Sequence, residues 1–527
     1  LVVDKTSTTL SQVKFNWRDP LFVLGLVLLW RLSLFVFTAQ PIPANDAYLF
    51  DGGVANWLKH GQYVNPCLER AFPISSGQVF SLYPPLYQLA LLLWATLFGM
   101  STLSIIGMHL MMFACGAVTV VLLVRRFFPA DIHYGLAAAL LLIFTFNDRP
   151  EDLAHFFGLL SLWLVATLIS RPSLELPVLC GLSLVLLLTL FTSIIVGAVY
   201  FGAGFLACAA AWWFQRRTLL FAPFFAAALL FVAIVCWVIE IHPLWWQGFL
   251  ENSRKTPAVA GFRVPNVMDV FKLMRASPVF LLSVAVFPWI YSHRKKLLPE
   301  TWLFLVTGAF LMGLITLILS MTEISPNYVG YTLYLQIILA AGMLALAGRL
   351  CPPGWVWPQV LLVSCVLLVS IRAIAMTTWG VACAWKNSYW HTQEELRTEL
   401  APFEKSDAPV VVSSAFLYTA SELGVRHPIH SDWFYDRLVT APDADFQGMI
   451  HLRPSKLVLV QFDYYRGFIG LLNELRQHPE LVSVQVRNLS ELRVPDSIPS
   501  LQRAIQHISW APVIVDLDWK SPNAPGN

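Results

Sequence analysis

Charge is what this sequence has least of. Asp, Glu, Lys and Arg make up 13% of its 527 residues, against roughly 25% in an ordinary soluble domain. That composition excludes a typical water-soluble protein. The charges it does have are unevenly spread: long apolar runs fill much of residues 1–375, while charged residues gather in the connections and the tail. No block of Lys and Arg occurs and the formal net charge is +3, so nothing points to nucleic acid. The eight cysteines lack metal-site spacing. Cys115, Cys180, Cys208 and Cys236 fall inside apolar runs and read as packing residues, which implies no disulfide framework. The first apolar run, 20–39, has no A-x-A-like end before Pro41. It is expected to be a retained span, not a cleaved signal.

What is present is apolar. Hydrophobic residues make up 57% of the chain and the mean hydropathy is +0.63. This is the composition of a polytopic α-helical membrane protein with one soluble appendage. Basic residues set the orientation. Lys14 and Arg18 precede run 20–39, which places the N-terminus in the cytoplasm and Asn45 outside. Run 84–98 would be only about 22 Å long as a helix, short for a crossing, and is expected to lie along the outer surface. Spans at 103–124 and 134–146 follow, and a further span runs from the polar cluster 147–152 back to Arg171. Run 174–214 would be about 61 Å as one helix, too long for one crossing and enough for a tight pair. Further spans are expected near 219–239, before His293-Arg294, at 301–319, before Arg349 and at 355–373. The total is about 11 crossings, with Arg and Lys clusters on one side at every return. Loops 45–83, 147–152, 240–277 and 322–328 then share the outer face with the tail.

The texture changes near Lys386. Residues 390–400 read as a charged helix, 410–413, 456–462, 481–486 and 512–517 as strands, and 416–423 and 465–478 as helices. Strands alternating with helices predict a small soluble α/β domain over 386–527, appended to a membrane domain over 1–380. No glycine-rich phosphate loop follows any of these strands, so the tail is expected to be a lid, scaffold or acceptor platform.

The stretch NDAYLFDGGVANWLKHG, 45–61, is the first polar segment after the first span. It carries Asp46 and Asp51 and then reads as a short amphipathic helix at the membrane surface. Asp46 is either a working carboxylate or the helix N-cap, a position Asp favours. Asp51 lies about 140° round a helix from Asp46, on another face. The second outer loop holds Asp148, Arg149, Glu151 and Asp152. Asp152 stands where a helix enters the membrane, where an acidic residue also suits the helix dipole. Phosphate contacts are available from Arg254, Lys255, Arg263, Lys272 and Arg275, with Arg263 and Arg275 as first choices because a guanidinium grips phosphate oxygens in pairs. The plainer reading has them on lipid headgroups or neighbouring acids. His109 and His155 show no ligand spacing and read as structural.

In order and loop placement these motifs resemble the GT-C membrane glycosyltransferases that use polyprenyl-phosphate sugars, in the branch of protein O-mannosyltransferases and lipid A aminoarabinose transferases. The family's helix-opening Asp and closing Gly match Asp46 and Gly61, and its Pro-Pro-Leu turn and Phe-Gly end match Tyr83-Pro84-Pro85-Leu86-Tyr87 and Phe98-Gly99. The family's second-loop acid matches Asp152, and a polar-Tyr pair near the lipid phosphate matches Asn327-Tyr328. Two departures stand out. The aminoarabinose transferases have Lys where this chain has Tyr83, and no basic residue adjoins Tyr328.

The resemblance implies an enzyme at the outer face of a membrane, expected to be a bacterial inner membrane. Such an enzyme moves a sugar from a polyprenyl-phosphate donor to a hydroxyl on a glycan, lipid or protein. Asp46 would then be the base or acceptor-orienting carboxylate, Asp152 would orient the acceptor or Arg149, and Tyr83 and Tyr87 would pack on sugar or lipid. Single displacement would invert the anomeric centre. Carboxylates of the two loops could instead hold a divalent cation, Mg or Mn. Two other classes remain: a lipid-linked sugar transporter or flippase, which would need charges within the spans or paired repeats, and a non-catalytic scaffold whose tail binds a partner.

Overall fold

The computed structural model describes residues 47–68, 72–81, 83–127, 151–170, 175–255, 333–350, 389–426, 428–431, 444–460, 468–488 and 512–520, with scattered positions at 25, 28–29, 32, 287–288, 290–293, 356–357, 360–361, 364 and 464. Four helices among them are long and apolar enough to cross a membrane: Thr102–Val124, Glu151–Ser170, Ile194–Trp213 and Thr218–Ile241. The chain is a polytopic α-helical membrane protein with a sheet-containing C-terminal domain. The expected spans at 20–39, 134–146, 301–319 and 355–373 lie wholly or mostly outside the described residues.

The membrane part opens with α1, Ala47–His60, and α2, Pro85–Phe98. α2 has 14 residues, about 21 Å at 1.5 Å per residue, shorter than the hydrocarbon core. It starts where Pro84 and Pro85 allow a helix to begin but not to continue backwards. Tyr87, Gln88, Leu91 and Ala95 are buried, whereas Leu89, Leu93 and Leu97 form an exposed apolar stripe. Four-residue spacing puts that stripe on one face, as suits a helix with lipid on one side and protein on the other.

α3 (Thr102–Phe127) and α4 (Glu151–Ser170) are the next long helices. The long run after Arg171 splits into α5 (Leu176–Thr192) and α6 (Ile194–Gln215) at Ser193, whose extended backbone turns the chain while its hydroxyl accepts from the Val196 amide. Gly197 lies against the Leu190 backbone, where no larger residue fits, so the pair packs tightly at the turn. α7 (Ala222–Ile241) leads into α8 (Pro243–Lys255), so the segment expected as an outer loop begins as a helix. α9, Leu333–Leu350, packs against α3.

The tail begins with α10 (Tyr389–Leu400) and folds into a five-stranded sheet of order β2-β1-β3-β5-β4. The strands are β1 (Val410–Val412), β2 (Pro428–His430), β3 (Lys456–Val460), β4 (Leu481–Asn488) and β5 (Pro512–Trp519). β2, β1 and β3 are parallel, and β5 runs antiparallel to both β3 and β4. Helices α11 (Leu417–Leu423), α12 (Ala444–Leu452) and α13 (Ile469–Leu475) complete it. β2 and α12 were not legible as elements: β2 is a three-residue strand, too short to show a period.

The central strands are buried on both faces, which explains their unbroken apolar sequence. Val411, Leu457, Leu459, Val513 and Val515 face α12 and α13. Val410, Val412, Val458, Val460 and Ile514 join a second cluster that also holds Tyr48, Phe50 and Val54 of α1, Tyr87 and Leu91 of α2, and Ile105, Met108 and Met112 of α3. One continuous apolar core therefore joins the tail to the membrane helices. Nothing in the local sequence announces that the tail is more than an appendage.

Candidate functional site

α1 is built for close contact along its first half. Tyr48, Phe50, Asp51, Val54 and Ala55 are buried, while Trp57 and Leu58 near its end are exposed. Burial thus divides the helix along its length and not between faces, unlike the amphipathic helix expected. Two glycines inside a helix cost about 1 kcal/mol each relative to Ala. Here Gly52 meets the Asn65 side chain and Gly53 the Phe80 ring, with no space for a Cβ at either position. Asn65 in turn donates from Nδ2 to the Tyr48 carbonyl at 3.2 Å. The helix ends at Gly61, whose φ of +71° is left-handed, a conformation glycine adopts without strain.

Asp51 is fully buried in the middle of this contact. Its Oδ1 accepts from the Tyr87 hydroxyl at 2.8 Å, and its Oδ2 accepts from the Tyr418 hydroxyl of α11. His109 Nε2 of α3 is 3.4 Å from the Tyr87 oxygen. Burial pushes the Asp51 carboxyl up to about 7, and the two tyrosine hydrogen bonds only partly oppose it. Burial also raises the Tyr87 hydroxyl, and the nearby charges of Asp51, Glu151 and Asp152 raise it further. Tyr87 is therefore close to carboxylates from both loops.

The second loop meets the first through Tyr83. Its hydroxyl donates to Glu151 Oε1 at 2.8 Å, and its ring packs edge-on against Phe50 at 4.6 Å. Glu151 and Asp152 form the first turn of α4 and both are buried. One turn on, His155 Nδ1 lies 3.0 Å from the Tyr200 hydroxyl of α6, and the His155 ring stacks on Tyr334 of α9 at 4.5 Å. Gly158 of α4 leaves the space that the Tyr200 ring fills. A third contact fixes the rest of the first loop: Glu251 Oε2 of α8 accepts from the amides of Ile74 and Ser75 at 3.1 and 2.9 Å, and from the Ser75 hydroxyl at 3.1 Å.

The structure thus brings together Asp51, Tyr83, Tyr87, Glu151 and Asp152 from the residues expected at the site. Asp46, Asp148, Arg149, Arg263, Arg275, Asn327 and Tyr328 lie outside the described residues. Sequence reasoning ranked Asp51 behind Asp46, set His109 and His155 aside, and missed Tyr200, Glu251, Tyr334 and Tyr418. His155 carried a usable signal: it lies three and four residues after Asp152 and Glu151, on the same helix face. Tyr418 carried none. Among the described residues no group of three or more His, Cys, Asp or Glu side chains is arranged to hold a metal ion. Asp51, with a tyrosine on each oxygen, is a poor candidate ligand.

Neither a protein-family model nor a curated protein matches the sequence. The solved structures similar to the chain include two of one protein. ArnT from Cupriavidus metallidurans bound to undecaprenyl phosphate is 13% identical, covers 96% of this chain and 99% of its own, and has a TM-score of 0.50. The same protein in the apo state is 13% identical, covers 94% and 97%, and has a TM-score of 0.48. The first likeness shows the fold. This chain shares the fold of ArnT, in keeping with the resemblance read from its motifs.

Proposed function

We propose that the protein is a GT-C-type glycosyltransferase that takes a sugar from a polyprenyl-phosphate donor and passes it to a hydroxyl acceptor at the outer face of the membrane. One observation carries the reading: acidic residues of two outer loops, Asp51 on one side and Glu151 and Asp152 on the other, surround the start of the Pro-Pro helix at the tops of the membrane helices. The fold shared with ArnT, whose structure holds undecaprenyl phosphate, supports a lipid-phosphate donor.

In this reading Asp46, one residue before α1, takes the acceptor proton or orients the acceptor. Asp152, with Arg149 and Asp148 beside it in sequence, assists from the second loop. Arg263, Arg275, Asn327 and Tyr328 face the departing phosphate, where guanidinium and hydroxyl groups lower its charge. Attack opposite the phosphate inverts the anomeric centre. The exposed apolar stripe of α2 supports a lipid surface beside the site. Basic residues at the cytoplasmic returns support an extracytoplasmic tail, periplasmic in a bacterial inner membrane.

The test is sugar transfer by purified protein from a panel of polyprenyl-phosphate sugars, wild type beside D46N, with and without EDTA. Donor consumption that requires Asp46 supports the reading and names the sugar, and loss of turnover in EDTA assigns a divalent cation. Undiminished turnover in D46N removes Asp46 from the mechanism. A wild type that consumes no donor yet moves labelled lipid across a bilayer is a transporter.

A further inference from the structure

Helix α11 is seven residues long and belongs to the tail, yet its polar contacts reach into the membrane part at three points. Tyr418 donates to Asp51 in the middle of α1. Lys59, two turns further along α1, donates to the carbonyls of Ser421 and Glu422. The Glu422 carboxylate accepts from the Thr102 amide at 2.9 Å and from the Thr102 hydroxyl at 3.3 Å, capping the first turn of α3. Gln393 of α10 donates to both Thr419 and Thr102, at 3.2 and 3.4 Å. Around these bonds the Tyr418 ring sits edge-on to Tyr48 at 5.1 Å, and Leu417, Tyr418 and Ala420 belong to the core shared with α1 and α2.

A short helix could be docked on α1 by apolar contact alone. A fully buried carboxylate placed between two tyrosines is costly by comparison, because burial opposes its charge. Such a group gives direction that apolar packing lacks: two fixed acceptor oxygens define the rotation of α1 about its axis and its height against α2 and α11. Lys59 sets the same helix a second time about 12 Å away, at 1.5 Å per residue.

We infer that Asp51 is a positioning residue, and that α11 of the C-terminal domain is part of the site, because together with Tyr87 they fix the helix that Asp46 immediately precedes in the chain. The tail is then neither lid nor detachable platform. Its kinetic consequence rests on the role proposed above for Asp46; its mechanical consequence does not.

The experiment has two arms, on the whole chain in detergent, with wild type, Y418F, D51A, D51N and the control R426A, which alters an exposed ion pair to Asp407. The first arm is hydrogen exchange. Y418F and D51A should raise amide exchange over residues 50–60 at least 10-fold, with 105–120 unchanged and R426A like wild type. Unchanged exchange over 50–60 in both variants overturns the inference, whatever the enzyme proves to do. The second arm is kinetics. D51A should lose at least 10-fold in kcat with donor KM within about 3-fold of wild type, and D51N, which keeps one acceptor oxygen, should recover part of the loss. A D51A enzyme with wild-type kcat and loosened exchange overturns the positioning role. Wild type inactive with every donor refutes the proposed function, and the exchange arm still decides the inference. Y418F removes one oxygen atom from a well-packed ring, so it remains informative if D51A does not fold.

Discussion

Tyr83 and Glu151 are joined by a hydrogen bond of 2.8 Å that ties the loop before the Pro-Pro helix to the first turn of a membrane helix. Tyr87, one turn on, makes the matching bond to Asp51. Two tyrosines flanking two prolines thus connect the acidic groups of both outer loops. Y83F keeps the ring contact with Phe50 and removes only the donor. It should cost about 1–2 kcal/mol, as expected when a part-buried hydrogen bond is lost, read as a lower thermal midpoint in detergent. E151Q keeps a carbonyl acceptor and should cost less. A Y83F midpoint equal to wild type would show that this bond contributes nothing.

Asp51 makes stability depend on pH in the direction opposite to an ordinary ion-paired acid. Its ordinary value is 3.8, and burial raises it to about 7 in the folded chain. Between these values the folded protein holds a proton that the unfolded chain has released, so stability falls as pH rises. The fall should be complete a little above pH 7. D51N does not titrate, so its thermal midpoint between pH 5 and 8 should lack this component of the fall. Parallel curves for D51N and wild type would rule Asp51 out as its source.

Glu399 works with the usual sign. It accepts from Lys456 at 2.5 Å and from Arg487 at 3.0 and 3.1 Å. The Arg487 bonds are the largest influence holding its carboxyl below the ordinary 4.5. Its contribution is present above that value and is lost as pH falls through the depressed one. The Arg487 side chain is 45% exposed, so solvent screening keeps that pair to about 1 kcal/mol or less. E399Q should speed hydrogen exchange in β4 and β5 at pH 7, and its difference from wild type should shrink as pH falls below 4.5. Equal exchange at pH 7 would discount the network.

Gly158 and Gly181 lie in neighbouring helices and predict opposite outcomes. A Cβ at Gly158 would overlap the fully buried Tyr200 ring, whereas one at Gly181 meets nothing within 4 Å. G158A should destabilise by about 1–3 kcal/mol through overpacking, despite better helix propensity. G181A should be neutral or gain up to about 1 kcal/mol. Thermal unfolding of the two variants side by side checks both, and a stabilised G158A would contradict the packing described.

Much of the membrane part was legible because its signals are local sums. Hydropathy over some twenty residues marks a span, and the helices starting at Thr102 and Thr218 lie where apolar runs begin. The length of run 174–214 required a break, and the break falls at Ser193. Pro84-Pro85 and Gly61 marked a helix start and a helix stop for reasons of backbone geometry. In the tail, the four strands richest in Val, Ile and Leu could be read from composition, whereas β2, with three residues, could not.

The candidate site was legible only as a set of residue types. The sequence by itself determined that fewer than half of the carboxylates precede the tail, and that Asp46 and Asp51, and Asp148, Glu151 and Asp152, stand in two connections between apolar runs. It did not determine that Asp51 would be the one buried between tyrosines. Local spacing places Asp51 on a different helix face from Asp46 and leaves it a secondary candidate at the site. Tyr418 stands 367 residues from Asp51 in the chain, and no periodicity or propensity acts over that distance. That pairing follows from how α11 docks on α1, and the docking follows from a shared apolar core. Apolar burial is non-directional, so the sequence shows that such a core must form, while only the assembled fold decides which polar groups it encloses.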